Sequence, residues 1–117
     1  RSVVYDRDSI TDDQVEASVR PCRSRVCVGA ALAVGRQIMP PDIEALTARY
    51  PELDIPTLLL WGATDRVVPV AIGHRLEEEL PDARLVVLPR CRHVAPEERP
   101  DESIAIVTRF LDEHPTP

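Results

Sequence analysis

The chain has 117 residues, 44% hydrophobic and 29% charged, the composition of an ordinary soluble globular domain. All 14 basic residues are arginine, and neither lysine nor asparagine occurs, which removes a P-loop lysine, a Schiff-base lysine, a Cys-His-Asn triad and an N-glycosylation site. Twenty acidic side chains leave a net charge of −6, which argues against a nucleic-acid or anionic-membrane surface.

Thr11 followed by Gln14 reads as a capping box with two acids in the first turn, so a short helix is expected from Asp12 to Arg20, stopped by Pro21. A second helix is expected over Cys22 to Gln37, with Val26, Ala30, Ala33, Val34 and Ile38 on one stripe. Its apolar stretch Val26 to Gly35 is about half of the roughly 20 residues that span a bilayer, so a buried helix is the expectation. Pro41 introduces a third helix, Asp42 to Arg49.

After Ile55 the pattern changes. Thr57 to Trp61 is a continuous apolar run between Pro56 and Gly62, the signature of a parallel strand buried on both faces. A helix from Val70 to Leu80 follows Pro69, with Ile72, Leu76 and Leu80 four residues apart. The run Arg84 to Leu88 reads as a second strand, residues 90 to 99 as a loop, and Pro100 to Glu113 as a final helix with Ile104, Val107 and Leu111 on one face. The chain thus divides into a helical segment, 1–54, and a β-α-β-α part, 55–117, whose crossover is expected to be right-handed. Two strands are too few for an independent parallel sheet, so the fold class is α/β, as a fragment of a larger sheet or one completed by another copy.

In such folds functional groups lie on loops at the carboxyl ends of strands. Here these are Gly62 to Pro69 and Pro89 to Pro96, and adjacent parallel strands bring them to one edge of the sheet. Asp65 and His93 can meet there. A carboxylate bonded to one imidazole nitrogen fixes the tautomer and leaves the other nitrogen to take a proton from a nucleophile.

Ile55 to Pro69 (I-P-T-L-L-L-W-G-A-T-D-R-V-V-P) and His93 to Pro100 (H-V-A-P-E-E-R-P) resemble the acid-bearing turn and the histidine turn in the C-terminal part of the α/β-hydrolase superfamily. The resemblance is strong over 55–113 and looser over 1–54, which looks like the end of a helical cap. It implies that Asp65 is the triad acid and His93 the base. It further implies that Glu98, at the start of the last helix, buttresses the histidine turn, and that the substrate is a small ester or related molecule. Trp61, Val68 and Val94 beside the two loops are candidate substrate-facing residues, with a core role the alternative for Trp61.

Two departures from the family pattern stand out. Arg92 occupies the position before the histidine where the family usually has glycine, and could alter the turn or narrow the pocket. None of Ser2, Ser9, Ser18, Ser24 and Ser103 lies in a G-x-S-x-G elbow; the resemblance implies that the nucleophile and the oxyanion-hole amides come earlier, upstream of this chain, which begins with Arg rather than Met. No cofactor is implied. Cys22 and Cys27 point to different sides of a helix, which disfavours a metal site with Cys91; all three are read as small buried thiols. His74 and His114 are read as solvated. An odd cysteine count and the lack of an export signal point to a cytoplasmic setting. Two other readings stay open: a non-catalytic module that self-associates through its exposed sheet edge, and a small-molecule binding protein that has kept the pocket without the chemistry.

Overall fold

A computed structural model describes residues 3–6, 8, 10–38 and 40–115. The chain forms two compact units, Ile10–Ala48 and Arg1–Ser9 together with Arg49–Pro117.

The first unit is helical. Helix α1 (Asp12–Val19) begins at the expected capping box: the Thr11 hydroxyl accepts the Gln14 amide at 3.2 Å and the Gln14 side chain accepts the Thr11 amide at 2.8 Å. Beyond it the chain tightens into a 3₁₀ turn, Arg20–Arg23, and Ser24 is extended (φ −87°, ψ 130°). Helix α2 therefore runs Arg25–Gln37, three residues shorter at its start than the apolar pattern suggests, because Pro21 and the extended Ser24 interrupt the ladder. Helix α3 is Ile43–Thr47. The expectation that α2 is buried is not met: none of its residues is buried, with Val26 82% exposed, and Ile38 at its C-terminal cap is 71% exposed. Periodicity specifies an apolar face without specifying what covers it.

In the second unit a 3₁₀ turn, Tyr50–Glu52, precedes strand β1 (Thr57–Gly62), helix α4 (Val70–Glu79) and strand β2 (Ala83–Leu88). The two strands pair in parallel, in register from Thr57 opposite Ala83 to Gly62 opposite Leu88. Helix α4 packs on both, closely at Gly73, where a Cβ would stand 3.1 Å from both Leu85 Cδ1 and Trp61 Cδ2. The Glu77 carboxylate on α4 also accepts the Leu85 amide of β2 at 2.7 Å. Helix α5 (Ala95–Glu98) is a single turn where a loop is expected, and α6 (Pro100–Glu113) follows, with Pro100 in its first turn.

The buried core is small: Leu88, Cys91 and Ala95, with Leu60 and Ile106 packed against them. Apart from buried Gly62 and Leu88 and exposed Arg84 the strand residues are half-buried, rather than buried on both faces, since a two-stranded sheet leaves much of its surface without a covering layer. Among the described residues no helix is long and apolar enough to cross a membrane.

Candidate active site

The two loops that follow β1 and β2 are joined through their backbones. The Ala63 amide donates to the Leu88 carbonyl at 2.9 Å, and the Thr64 amide and hydroxyl both donate to the Cys91 carbonyl, at 3.1 and 3.0 Å. Gly62 permits this approach. A Cβ at Gly62 would lie 2.6 Å from the Cys91 carbonyl oxygen and closer still to that of Arg92. Arg90, at φ 50°, takes the left-handed step that starts the second loop.

This stitching places Asp65 against His93, with Asp65 Oδ2 2.9 Å from His93 Nδ1. The other carboxylate oxygen, Oδ1, accepts the amides of Val67 at 2.7 Å and Val68 at 3.0 Å, a turn the aspartate forms with its own downstream backbone. The Asp65 side chain is only 5% exposed, whereas that of His93 is 38% exposed, so a screened carboxylate faces an accessible imidazole. Burial alone would raise the Asp65 pKa. The hydrogen bonds from His93 and from the Val68 and Val67 amides outweigh it and hold the carboxyl below its ordinary value.

A cavity of about 160 Å³ opens beside this pair, lined by Leu60, Trp61, Gly62, Asp65, Val68 and His93. Trp61 serves two purposes there: it lines the cavity, and its indole N–H donates to the Val68 carbonyl at 3.0 Å, tying the end of the acid turn to the strand. Val68 also lines the cavity, whereas Val94, half-buried at the start of α5, is not among the lining residues. The Ser103 hydroxyl is buried and donates to the Ala95 carbonyl, and the Thr64 hydroxyl is engaged with Cys91 as described, so neither is directed at His93. Ser2 and Ser9 lie outside the described residues.

Behind the histidine turn, Glu98 Oε1 accepts the Arg92 amide at 2.9 Å and Oε2 accepts the Tyr5 amide. Arg92 does not narrow the cavity. Its side chain reaches the other way, donating from Nη1 to the Val4 carbonyl at 2.9 Å, with its guanidinium carbon 5.9 Å from the centre of the Tyr5 ring. These contacts of Arg92 and Tyr5 escape sequence reading, because no motif or periodicity links positions so far apart in the chain.

Of the three cysteines, Cys91 is a buried thiol as expected, whereas Cys22 and Cys27 are not buried. Cys91 is fully buried, and that burial, reinforced by the charge and the hydrogen bond of Glu98, pushes its thiol up to about 11. Cys22 is exposed and Cys27 half-buried, and no described residue of the helical unit that carries them is buried. Among the described residues no group of three or more His, Cys, Asp or Glu side chains could hold a metal. His74 is exposed, as expected. His114, expected to be solvated, is instead half-buried against Phe110, with ring centroids 4.4 Å apart and Nδ1–H donating to the Phe110 carbonyl at 2.8 Å.

Residues 33–100 match the family profile described as the alpha/beta hydrolase fold. The chain is 32% identical over 100 residues to an uncharacterized hydrolase, YugF, of Bacillus subtilis, covering 86% of this chain and 36% of that protein. It is also 32% identical over 108 residues to a 2-hydroxy-6-oxononadienedioate/2-hydroxy-6-oxononatrienedioate hydrolase of Cupriavidus pinatubonensis, covering 92% of this chain and 37% of the relative. Among solved structures, the 2-hydroxy-6-oxo-6-phenylhexa-2,4-dienoate hydrolase of Rhodococcus superposes with a TM-score of 0.76 at 27% identity, over 95% of this chain and 41% of that one. The chain thus spans little more than a third of the length of these two curated relatives. The order of its elements, the family profile and these likenesses agree: the chain belongs to the α/β-hydrolase family, of whose fold it holds two parallel strands and their helices.

Proposed function

We propose that this chain carries the acid and the base of a nucleophile-histidine-acid hydrolase site, and that the nucleophile and the oxyanion-hole amides are not supplied by it. The observation that carries this reading is the 2.9 Å contact between Asp65 Oδ2 and His93 Nδ1, made by a carboxylate whose other oxygen is already held by two amides. Held so, Asp65 keeps the proton of the neutral imidazole on Nδ1 and stabilises the imidazolium when it forms. Nε2 is then the basic nitrogen. It takes the proton of an attacking nucleophile and later returns it to the leaving group, while the nucleophile forms a covalent acyl intermediate that water cleaves.

The lining of the cavity supports a small substrate with an apolar flank, placed between Leu60, Trp61 and Val68 with its reacting carbonyl toward His93. Esters fit this description. The names of the relatives extend the class to 2-hydroxy-6-oxo-dienoates, in which a ketone carbonyl would receive the attack.

The chain alone is expected not to turn over, since without a nucleophile the covalent step is absent, and without oxyanion donors the remaining catalysis is small. The experiment is p-nitrophenyl ester hydrolysis by the purified chain, with labelling by a fluorophosphonate probe. No turnover and no labelling are expected. Hydrolysis abolished by His93→Ala would overturn the reading, because a nucleophile would then lie within this sequence.

A further inference from the structure

We propose that residues 3–5 form a strap across the back of the histidine turn, and that Arg92 is its clasp, a positioning residue for His93. Each of the three strap residues makes one bond of its own. The Val3 carbonyl accepts the His93 amide at 3.0 Å, the Val4 carbonyl accepts Arg92 Nη1–H at 2.9 Å, and the Tyr5 amide donates to Glu98, whose other oxygen holds the Arg92 amide at 2.9 Å. The Tyr5 ring adds a fourth contact, beneath the guanidinium of Arg92.

A glycine at position 92 would keep the bond from its amide to Glu98 and lose both side-chain contacts with the strap. Arginine here therefore replaces backbone freedom in the turn with a tether to a segment 88 positions away. The tether matters because the imidazole is 38% exposed and its one described hydrogen bond is to Asp65; the main chain must carry the rest of its placement. Displacing a base by about 1 Å can cost on the order of 10²-fold in rate. This inference rests on the reading of His93 as the base.

The test is amide hydrogen exchange followed by NMR in the wild-type chain, Arg92→Gly, Arg92→Lys and Tyr5→Leu, comparing the His93 amide with the amides paired between β1 and β2. Arg92→Gly is expected to speed His93 exchange about tenfold, equivalent to ~1.4 kcal/mol of local opening, while the strand amides stay as they were. Tyr5→Leu, which leaves the turn untouched, produces a smaller rise at the same amide, and Arg92→Lys restores part of the protection. The fraction of His93 carrying its proton on Nδ1 falls in the same order. Unchanged His93 exchange in both Arg92→Gly and Tyr5→Leu, or a rise matched by the strand amides, overturns the strap, the latter showing that these side chains serve only global stability. Exchange is read without substrate, so a failed strap and a failed hydrolase reading give different results.

Discussion

Replacing Asp65 by asparagine tests the heart of the site with almost no change in volume. The carboxylate makes three bonds, to Val67, Val68 and His93. Asparagine can keep the first two through its amide oxygen. Toward His93 it presents an NH₂ group, so the 2.9 Å contact survives only if the imidazole moves its proton to Nε2. The loss is therefore one charge-assisted hydrogen bond, about 1.5–3 kcal/mol when well shielded. Because His93 is 38% exposed, solvent screening brings the loss below that range, and we expect about 1 kcal/mol, or roughly 4 °C in Tm for a domain of this size. The sign of the pH dependence follows from the lowered Asp65 pKa. The stabilisation is present above the ordinary value of 3.8 and is lost as the pH falls through the folded-state pKa beneath it. Urea unfolding followed by circular dichroism at pH 7 and at progressively lower pH reads this directly. Wild type should exceed Asp65→Asn at pH 7, and the two should converge in acid. Equal midpoints at pH 7, or a gap that persists undiminished into strong acid, would show that the charged Asp65–His93 bond does not stabilise the fold.

Other substitutions probe the scaffold around the pair. Gly62→Ala should destabilise by about 3 kcal/mol or more in urea unfolding, because the added methyl group meets backbone carbonyls of Cys91 and Arg92 that cannot rotate away. Gly73→Ala, where the obstacles are the side chains of Leu85 and Trp61, should cost clearly less by the same measurement. Trp61→Phe keeps the packing against α4 and deletes the bond to the Val68 carbonyl; a loss of about 1 kcal/mol is expected, with the Val67 and Val68 amides exchanging faster. Thiol titration should modify Cys22 readily and Cys91 only on unfolding. Since the Cys91 thiol is raised from 9.0 to about 11, its contribution to stability is complete below pH ~9 and declines as the pH rises toward ~11, a decline that Cys91→Ala should remove in alkaline unfolding curves.

What the sequence made legible was local. Pro56 and Gly62 bracket β1, and Pro100 with a regular apolar stripe marks α6, so these elements fall where expected. The nearness of Asp65 and His93 was also accessible, because parallel neighbouring strands leave their following loops on the same edge. Helix α5 was not: four residues, Ala-Pro-Glu-Glu, are too few to show a period. The exposure of α2 was not either, since a stripe such as Val26, Ala30 and Val34 reads the same whether or not a partner covers it. Nor could Arg92 be placed. Whether its side chain enters the cavity or turns back depends on Val4 and Tyr5, and on the left-handed step at Arg90 that no glycine announces. Chemistry carried by side chains on adjacent elements was readable in one dimension, whereas contacts closing across the whole chain were not.

In the proposed site Asp65 fixes His93 with its proton on Nδ1 and Nε2 ready to accept another. Two-bond ¹H–¹⁵N correlation spectra of the imidazole, recorded at a pH where the ring is neutral, show which nitrogen is protonated. The Nδ1–H form is expected in the wild-type chain and the Nε2–H form in Asp65→Asn. A wild-type His93 that populates mainly Nε2–H, or the same tautomer in both proteins, would contradict that role of Asp65.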